Sequence, residues 1–302
     1  MPYALVLHCF PQNGTITSQD LQGQKGLALF LQEMIQQQDA ALSAQLHAPQ
    51  NPKPFTTAIL LPTGEKNRSR GPGKGKQPIL RSALSPNAYT EEIKIRITLL
   101  WDMLYPVIAQ FFLCHIDGPP VLRLGQSPLL ISRLTVTPES GEIWSGYAGF
   151  PELWKGAPET ETTWTIHFAT PTTFKAGEAN LPLPLPRLCF QSWLQSWDTY
   201  SGLPFFSSKA ERQTFLTEVV ERQVSLEYTQ IRMHPYLLYF EGRQPREYGF
   251  VGTCRFSIRP TKVAPQDRKR LATLVRYSFY SGTGKKTTMG MGVTRPVSLG
   301  KE

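Results

Sequence analysis

One order of apolar segments occurs twice along this chain, and few folds accommodate such a repeat. In the first half, "YALVLHCF" has the apolar density of a strand. Next, "LQGQKGLALFLQEMIQQQ" places Leu27, Phe30, Leu31, Met34 and Ile35 at helical spacing. "PFTTAILL" reads as a second strand, and "YTEEIKIRITLLW" alternates Ile93, Ile95 and Ile97 with polar neighbours, a strand with one wet face. "DMLYPVIAQFFL" reads as a helix and "SPLLISRLTVT" as a strand. The second half follows suit. "TTWTIHFAT" is a strand, and "PRLCFQSWLQSWDTY" and "ERQTFLTEVVERQVSLE" are helices of one connection. "RMHPYLLYF" and "EYGFVGTCRFSIR" are strands, "PQDRKRLATLVRYSFY" is a helix, and "GVTRPV" is a short last strand.

Two consecutive β-α-β-β-α-β runs predict an α+β chain of two tandem ferredoxin-like domains, the fold also used by RNA-recognition motifs. The Gly/Pro/acidic stretch "KGAPETE" sets the division, giving domains of residues 1–155 and 156–302.

The 302 residues carry a net charge of +9, and its placement is uneven. Residues 64–81, "GEKNRSRGPGKGKQPILR", hold +5 and read as a basic Gly/Pro loop. Residues 262–302 hold +7, which leaves the remainder slightly acidic. Positive charge gathered in two places is an electrostatic footprint for a polyanion. No apolar run has the length of a membrane span. The N-terminal stretch lacks the basic start and cleavage site of a signal peptide, so a cytoplasmic protein is expected. Cys9, Cys114, Cys189 and Cys254 are widely separated, which suits buried free thiols rather than a disulfide framework or a zinc site.

The densest signal is "SFYSGTGKKTTMGMG", residues 278–292. A phosphate-binding P-loop would need a glycine at Phe279 and a hydroxyl at Lys286; a dinucleotide fingerprint would need a glycine at Thr287. Both nucleotide readings fail. What remains is a loop of Gly282, Gly284, Gly290 and Gly292 around Lys285, Lys286 and Thr287, reached through a helix bearing Arg268, Lys269, Arg270 and Arg276. Glycines allow positive φ and close backbone approach, and the cations suit phosphates, so nucleic-acid binding is expected of all these residues. A flexible turn is the plainer reading of the same glycines. In "REYGFVGTCRF", Arg246, Tyr248, Gly249, Phe250 and Val251 fit part of the RNA-recognition signature, whereas Glu247 and Thr253 break it; core packing explains those aromatics equally well. Of the five histidines, His8 and His167 lie inside strands, His115 ends a helix, and His234 starts a strand. His47 differs in sitting in the irregular "QLHAPQNPKPF", with Lys53 six residues on. No metal-binding or serine-hydrolase motif accompanies it.

The tandem order, "LHAPQNPKPFTTAIL", "FATPTTFK" and the glycine loop before the last strand together resemble the CRISPR repeat-processing endoribonuclease family, over residues 1 to about 297. Members of that family cut the repeats of a long CRISPR transcript into guide RNAs. The resemblance implies that His47 is the general acid/base histidine, that Lys53 is a catalytic lysine, and that the glycine loop contacts RNA. It implies no metal and no cofactor, because RNA brings its own 2′-hydroxyl nucleophile. The expected partners are CRISPR repeat RNA and other CRISPR effector subunits, with a monomer or homodimer as the assembly. Some members carry a tyrosine about fifteen residues before the histidine. Here that neighbourhood reads "LFLQEMI", and Gln32, Lys25 or nothing takes the third role. Two other readings stand beside the enzyme: a non-catalytic RNA-binding subunit of the same superfamily, and an RNA-recognition protein that stacks bases on its second sheet.

Overall fold

Strand alternation and helix periodicity produce the expected order, with additions. The computed structural model describes residues 1–17, 19–61, 92–115, 118–137, 140–238 and 246–297. The basic segment 64–81 lies outside the described residues.

The first unit runs β1 (Tyr3–Pro11), α1 (Gly23–Ala28) continued by a π-helical stretch Leu29–Ile35, α2 (Ala40–His47), β2 (Phe55–Leu60), β3 (Ile93–Leu99), α3 (Leu104–Leu113), β4 (Val121–Leu124), β5 (Ser127–Thr135) and β6 (Gly146–Tyr147). The sheet order is β2-β3-β1-β5-β4, with β6 also on β1. Successive side chains of a strand point to opposite faces. The antiparallel register pairs Leu5 with Ile97 and Leu7 with Ile95. These residues bury one face against Phe30, Met34 and Ile35 of the π-helical stretch and Ile108 and Phe111 of α3.

The second unit runs α4 (Phe150–Lys155), β7 (Thr163–Thr172), a small hairpin β8 (Phe174–Ala176) and β9 (Ala179–Leu181), α5 (Pro186–Tyr200), α6 (Lys209–Thr214) continued by a π-helical stretch Phe215–Glu221, β10 (Ser225–Leu237), β11 (Arg246–Ser257), α7 (Pro265–Ser281) and β12 (Thr294–Val297). Its sheet order is β10-β11-β7-β12. In both sheets the last strand lies beside the first, the first beside the third, and the third beside the second, with β4 as an added edge in the first. That shared, wholly antiparallel order is the ferredoxin-like arrangement, present twice. Trp193, Trp197 and Phe190 of α5 pack fully buried against Phe168, Phe250, Leu271 and Leu274, and Phe150 and Leu153 join this second core. Burying one such side chain contributes about 1.5–3 kcal/mol.

Three local readings change. Strand β10 begins at Ser225, so "SLE" is strand rather than helix, and His234 lies well inside it instead of at its start. Cys114 is exposed, while the other three free thiols are buried as expected. The face of β3 opposite its isoleucines is not wet. Arg96 is only 1% exposed. Its Nε donates to the Trp144 carbonyl at 3.0 Å and its Nη2 to the Phe279 carbonyl at 2.6 Å. The guanidinium also lies over the Phe279 ring, 4.6 Å from the centroid. Burial works against the charge and pulls its pKa down, while Tyr280 and Glu142 work to restore it. A charge-bearing strand face reads as solvated in a lone domain; here α7 of the second unit covers it. In β11, Phe250 is buried against Phe168 and Phe174, and Tyr248 is 54% exposed. Core packing therefore accounts for Phe250.

Candidate active site

Helix α2 delivers His47. Asp39 caps its N-terminus by accepting from the Leu42 amide at 2.9 Å, and buried Leu42 and Leu46 fix its inner face. The Ser43 hydroxyl donates to the Leu31 carbonyl at 3.0 Å, tying α2 to the π-helical stretch. His47 is the last helical residue and its side chain is exposed.

The chain then crosses to β2 through "APQNPKP", in which Pro49, Pro52 and Pro54 have no amide hydrogen to offer. The segment is held by its carbonyls instead. Lys53 Nζ donates to the Leu46 carbonyl at 2.7 Å and also to the Ala48 carbonyl, the residues on either side of His47. A cation on the last carbonyls of a helix suits both their lone pairs and the helix dipole. Burial lowers the Lys53 pKa. The Leu100 amide donates to the Pro54 carbonyl at 2.7 Å. The Tyr200 hydroxyl, at the end of α5, donates to the Pro52 carbonyl. His47 and Lys53 are thus brought together, with the ammonium beside the helix end that carries the imidazole. Gln32 lies on the π-helical stretch with an exposed side chain, and Lys25 on α1 is half-buried.

The glycine loop is an ordered, well-bonded element. All four glycines have positive φ, and protein atoms crowd each of them. A Cβ on Gly284 would lie 2.3 Å from the Thr173 carbonyl oxygen, one on Gly290 2.0 Å from the Tyr236 hydroxyl, and one on Gly292 2.0 Å from the Thr283 carbonyl oxygen. The Gly284 amide donates to Ser192 Oγ at 3.0 Å, that of Lys285 to the Thr173 carbonyl at 3.0 Å, and that of Gly292 to the Pro171 carbonyl at 3.1 Å. Trp193 Nε1 donates to Thr283 Oγ1 at 2.8 Å. The short 3-10 turn Thr287–Met289 then packs on α1 and β2 of the first unit. There, Thr57 Oγ1 donates to the Thr288 carbonyl at 2.6 Å, and the Met289 carbonyl leaves no room for a Cβ on Gly23. The fold itself requires the glycines, and the loop joins the two units.

The loop's cations meet a carboxylate that pattern reading noticed only as a defect in the RNA-recognition signature. Glu247 lies 2.9 Å from Lys286 Nζ and 3.1 Å from Lys285 Nζ. Asn180 on β9 accepts from Lys285 at 2.7 Å and donates to Glu247 at 3.0 Å. Desolvation raises the Glu247 carboxyl, but hydrogen bonds from Lys286 and Lys285 and their charges outweigh it and hold the pKa below its ordinary value of 4.5. The linkage therefore adds stability above that value, and the contribution is lost as pH falls through the lowered one. The other basic residues expected to meet RNA are also engaged. Arg276 pairs with Glu161 at 2.8 Å, Arg270 with Asp267 at 2.7 Å, and Lys269 lies over the Trp154 ring and 3.9 Å from Glu159. Arg268 donates to the Pro260 carbonyl at 3.2 Å.

Residues 1–155 match the model of the CRISPR Cas6 N-terminal domain, and residues 166–294 match that of the CRISPR-associated endoribonuclease Cas6. A Streptococcus thermophilus CRISPR-associated endoribonuclease Cas6 is 30% identical over 134 residues, 44% of this chain and 50% of the relative. One from Mycobacterium tuberculosis is 27% identical over 146 residues, 48% of this chain and 42% of the relative. The chain thus spans about half the length of these curated relatives. Among solved structures, a Cas6 product complex superposes with a TM-score of 0.75 at 25% identity, covering 98% of this chain and 99% of that one. Thermus thermophilus Cas6 superposes at 0.68 and 24% identity, covering 98% of each, a likeness of fold. With one family model spanning the sheet and helix that present His47 and another spanning the sheet that closes on the glycine loop, the chain belongs to the Cas6 family of CRISPR-associated endoribonucleases.

Proposed function

We propose that this chain binds CRISPR repeat RNA and cuts the precursor transcript into guide RNAs without a metal ion. The observation that carries the reading is the exposed His47 at a helix end whose flanking carbonyls hold the Lys53 ammonium. In the reaction the 2′-oxygen attacks the adjacent phosphorus, and the bond from phosphorus to the 5′-oxygen breaks. The 2′-hydroxyl gives up its proton and the leaving oxygen gains one. The products are a 2′,3′-cyclic phosphate and a 5′-hydroxyl. His47 carries out one of these proton transfers. Lys53 brings positive charge to the place where the phosphoryl oxygens become more negative.

Incubating the protein with end-labelled repeat RNA in EDTA tests this reading. The expected result is a single cut whose 5′ fragment resists phosphatase until the cyclic phosphate is opened. Tight binding with no cut would instead support an RNA-binding subunit that retains the guide. The commitment of Lys53 to two backbone carbonyls is the feature that favours this second reading.

RNA contact at the glycine loop rests on the side chains of Lys285 and Lys286, because several loop amides are spent within the protein. Phosphates there compete with Glu247. Glu247→Gln is therefore expected to tighten repeat binding at low salt and to steepen the slope of log affinity against log salt by about 1. A filter-binding titration across salt concentrations reads both; an unchanged slope would take the lysine pair out of the RNA interface.

A further inference from the structure

The two loops described above are joined by a single helix. Near the middle of α5, Ser192 and Trp193 bond the glycine loop through the Gly284 amide and the Thr283 hydroxyl. At its last residue, Tyr200 bonds the Pro52 carbonyl, 148 positions away in sequence and in the other unit. Seven residues of helix separate the two attachments, a rise of roughly 10 Å. The span is stiff because Trp193 and Trp197 are fully buried and Trp197 stacks against Phe205 and meets Tyr277 edge-on. Burial also raises the Tyr200 pKa to about 12, so its hydroxyl stays a donor across the neutral range.

At the receiving end, the segment between His47 and Lys53 has two prolines. It is fastened through its carbonyls, and the second unit supplies only the Tyr200 bond among the described fastenings of that segment. We propose that Tyr200 is a positioning residue for cleavage: its hydroxyl fixes Pro52, and through it the placement of His47 and Lys53 relative to RNA held by the second unit. This inference rests on the His47 reading above. Misplacing a reacting group by about 1 Å can cost on the order of 100-fold in rate, whereas removing one neutral hydrogen bond changes stability only modestly.

The test is single-turnover cleavage of repeat RNA at saturating enzyme, with the dissociation constant and melting temperature measured on the same proteins. Tyr200→Phe keeps the ring and removes the bond. It is expected to slow cleavage about 10-fold, with the dissociation constant within about twofold of wild type. Tyr277→Phe is the control, since it removes a bond to Ser196 (2.9 Å) that is more deeply buried than the Tyr200 bond and lies in the second core. It is expected to lower the melting temperature while leaving the cleavage rate unchanged. Wild-type cleavage by Tyr200→Phe, alongside loss of cleavage in His47→Ala, overturns the positioning role and leaves the His47 reading intact. Equal slowing by Tyr200→Phe and Tyr277→Phe also overturns it, because general loosening would then be the cause. Normal cleavage by His47→Ala would bring down the His47 reading, and the role of Tyr200 with it.

Discussion

Replacing His47 with alanine is expected to reduce single-turnover cleavage of repeat RNA by about 10²–10⁴-fold, the usual contribution of a positioned proton-transfer group. The same change is expected to leave binding and melting temperature close to wild type, and the structure says why. Helix α2 is held by its Asp39 cap, by buried Leu42 and Leu46, and by the Ser43 bond to Leu31, none of which involves the imidazole. The carbonyls around position 47 are satisfied by Lys53. The ring is thus free of structural duty, and its removal isolates chemistry from folding. A variant that cleaves at the wild-type rate would remove His47 from the mechanism.

Gly290→Val should produce the largest loss of stability among the substitutions considered. Position 290 has φ of +90°, where a β-branched residue is strained, and a Cβ there would sit 2.0 Å from the Tyr236 hydroxyl and near Ala58 of β2. Strain and overpacking together are expected to cost roughly 2–4 kcal/mol, seen as a fall of several degrees in melting temperature. RNA binding would weaken at every salt concentration as a consequence. The glycine pattern alone points to close approach of the backbone to RNA; in the structure the obstruction a side chain at 290 would meet is Tyr236. Lost binding with an unchanged melting temperature would restore the first explanation.

The order of elements was legible because each half has to satisfy its own periodicity, and the core positions of β1, β3 and α5 follow from that alone. The hairpin of β8 and β9 was not, since three-residue strands carry too little pattern. The start of β10 was missed because "ERQTFLTEVVERQVSLE" keeps a helical composition past Val224. At the site, the proline-rich stretch after His47 singled it out, although the residue itself ends helix α2 rather than lying in irregular chain, and the resemblance supplied its role. Glu247, Tyr200 and Arg96 were beyond reach for one physical reason. Each acts on a partner more than thirty positions away: Glu247 on Lys285 and Lys286, Tyr200 on Pro52, and Arg96 on Phe279. Local pattern carries no record of such pairs. Charge counted along the chain likewise overstated what Arg276, Lys269 and Arg270 have to offer a ligand, because acidic or aromatic neighbours already engage them.

The bond between Thr57 and Thr288 spans 231 positions. At ordinary rates of synthesis, about 5–20 residues per second, the ribosome needs roughly 10–50 s to make the chain between them. From Tyr147, the end of β6, to Thr288 the first sheet is complete in sequence but lacks its cover: Gly23 and Thr57 await the turn at 287–289, and Arg96 awaits the Phe279 carbonyl. The nascent first half therefore waits with a cationic, partly apolar face turned outward, and its final packing is timed by translation of the second half.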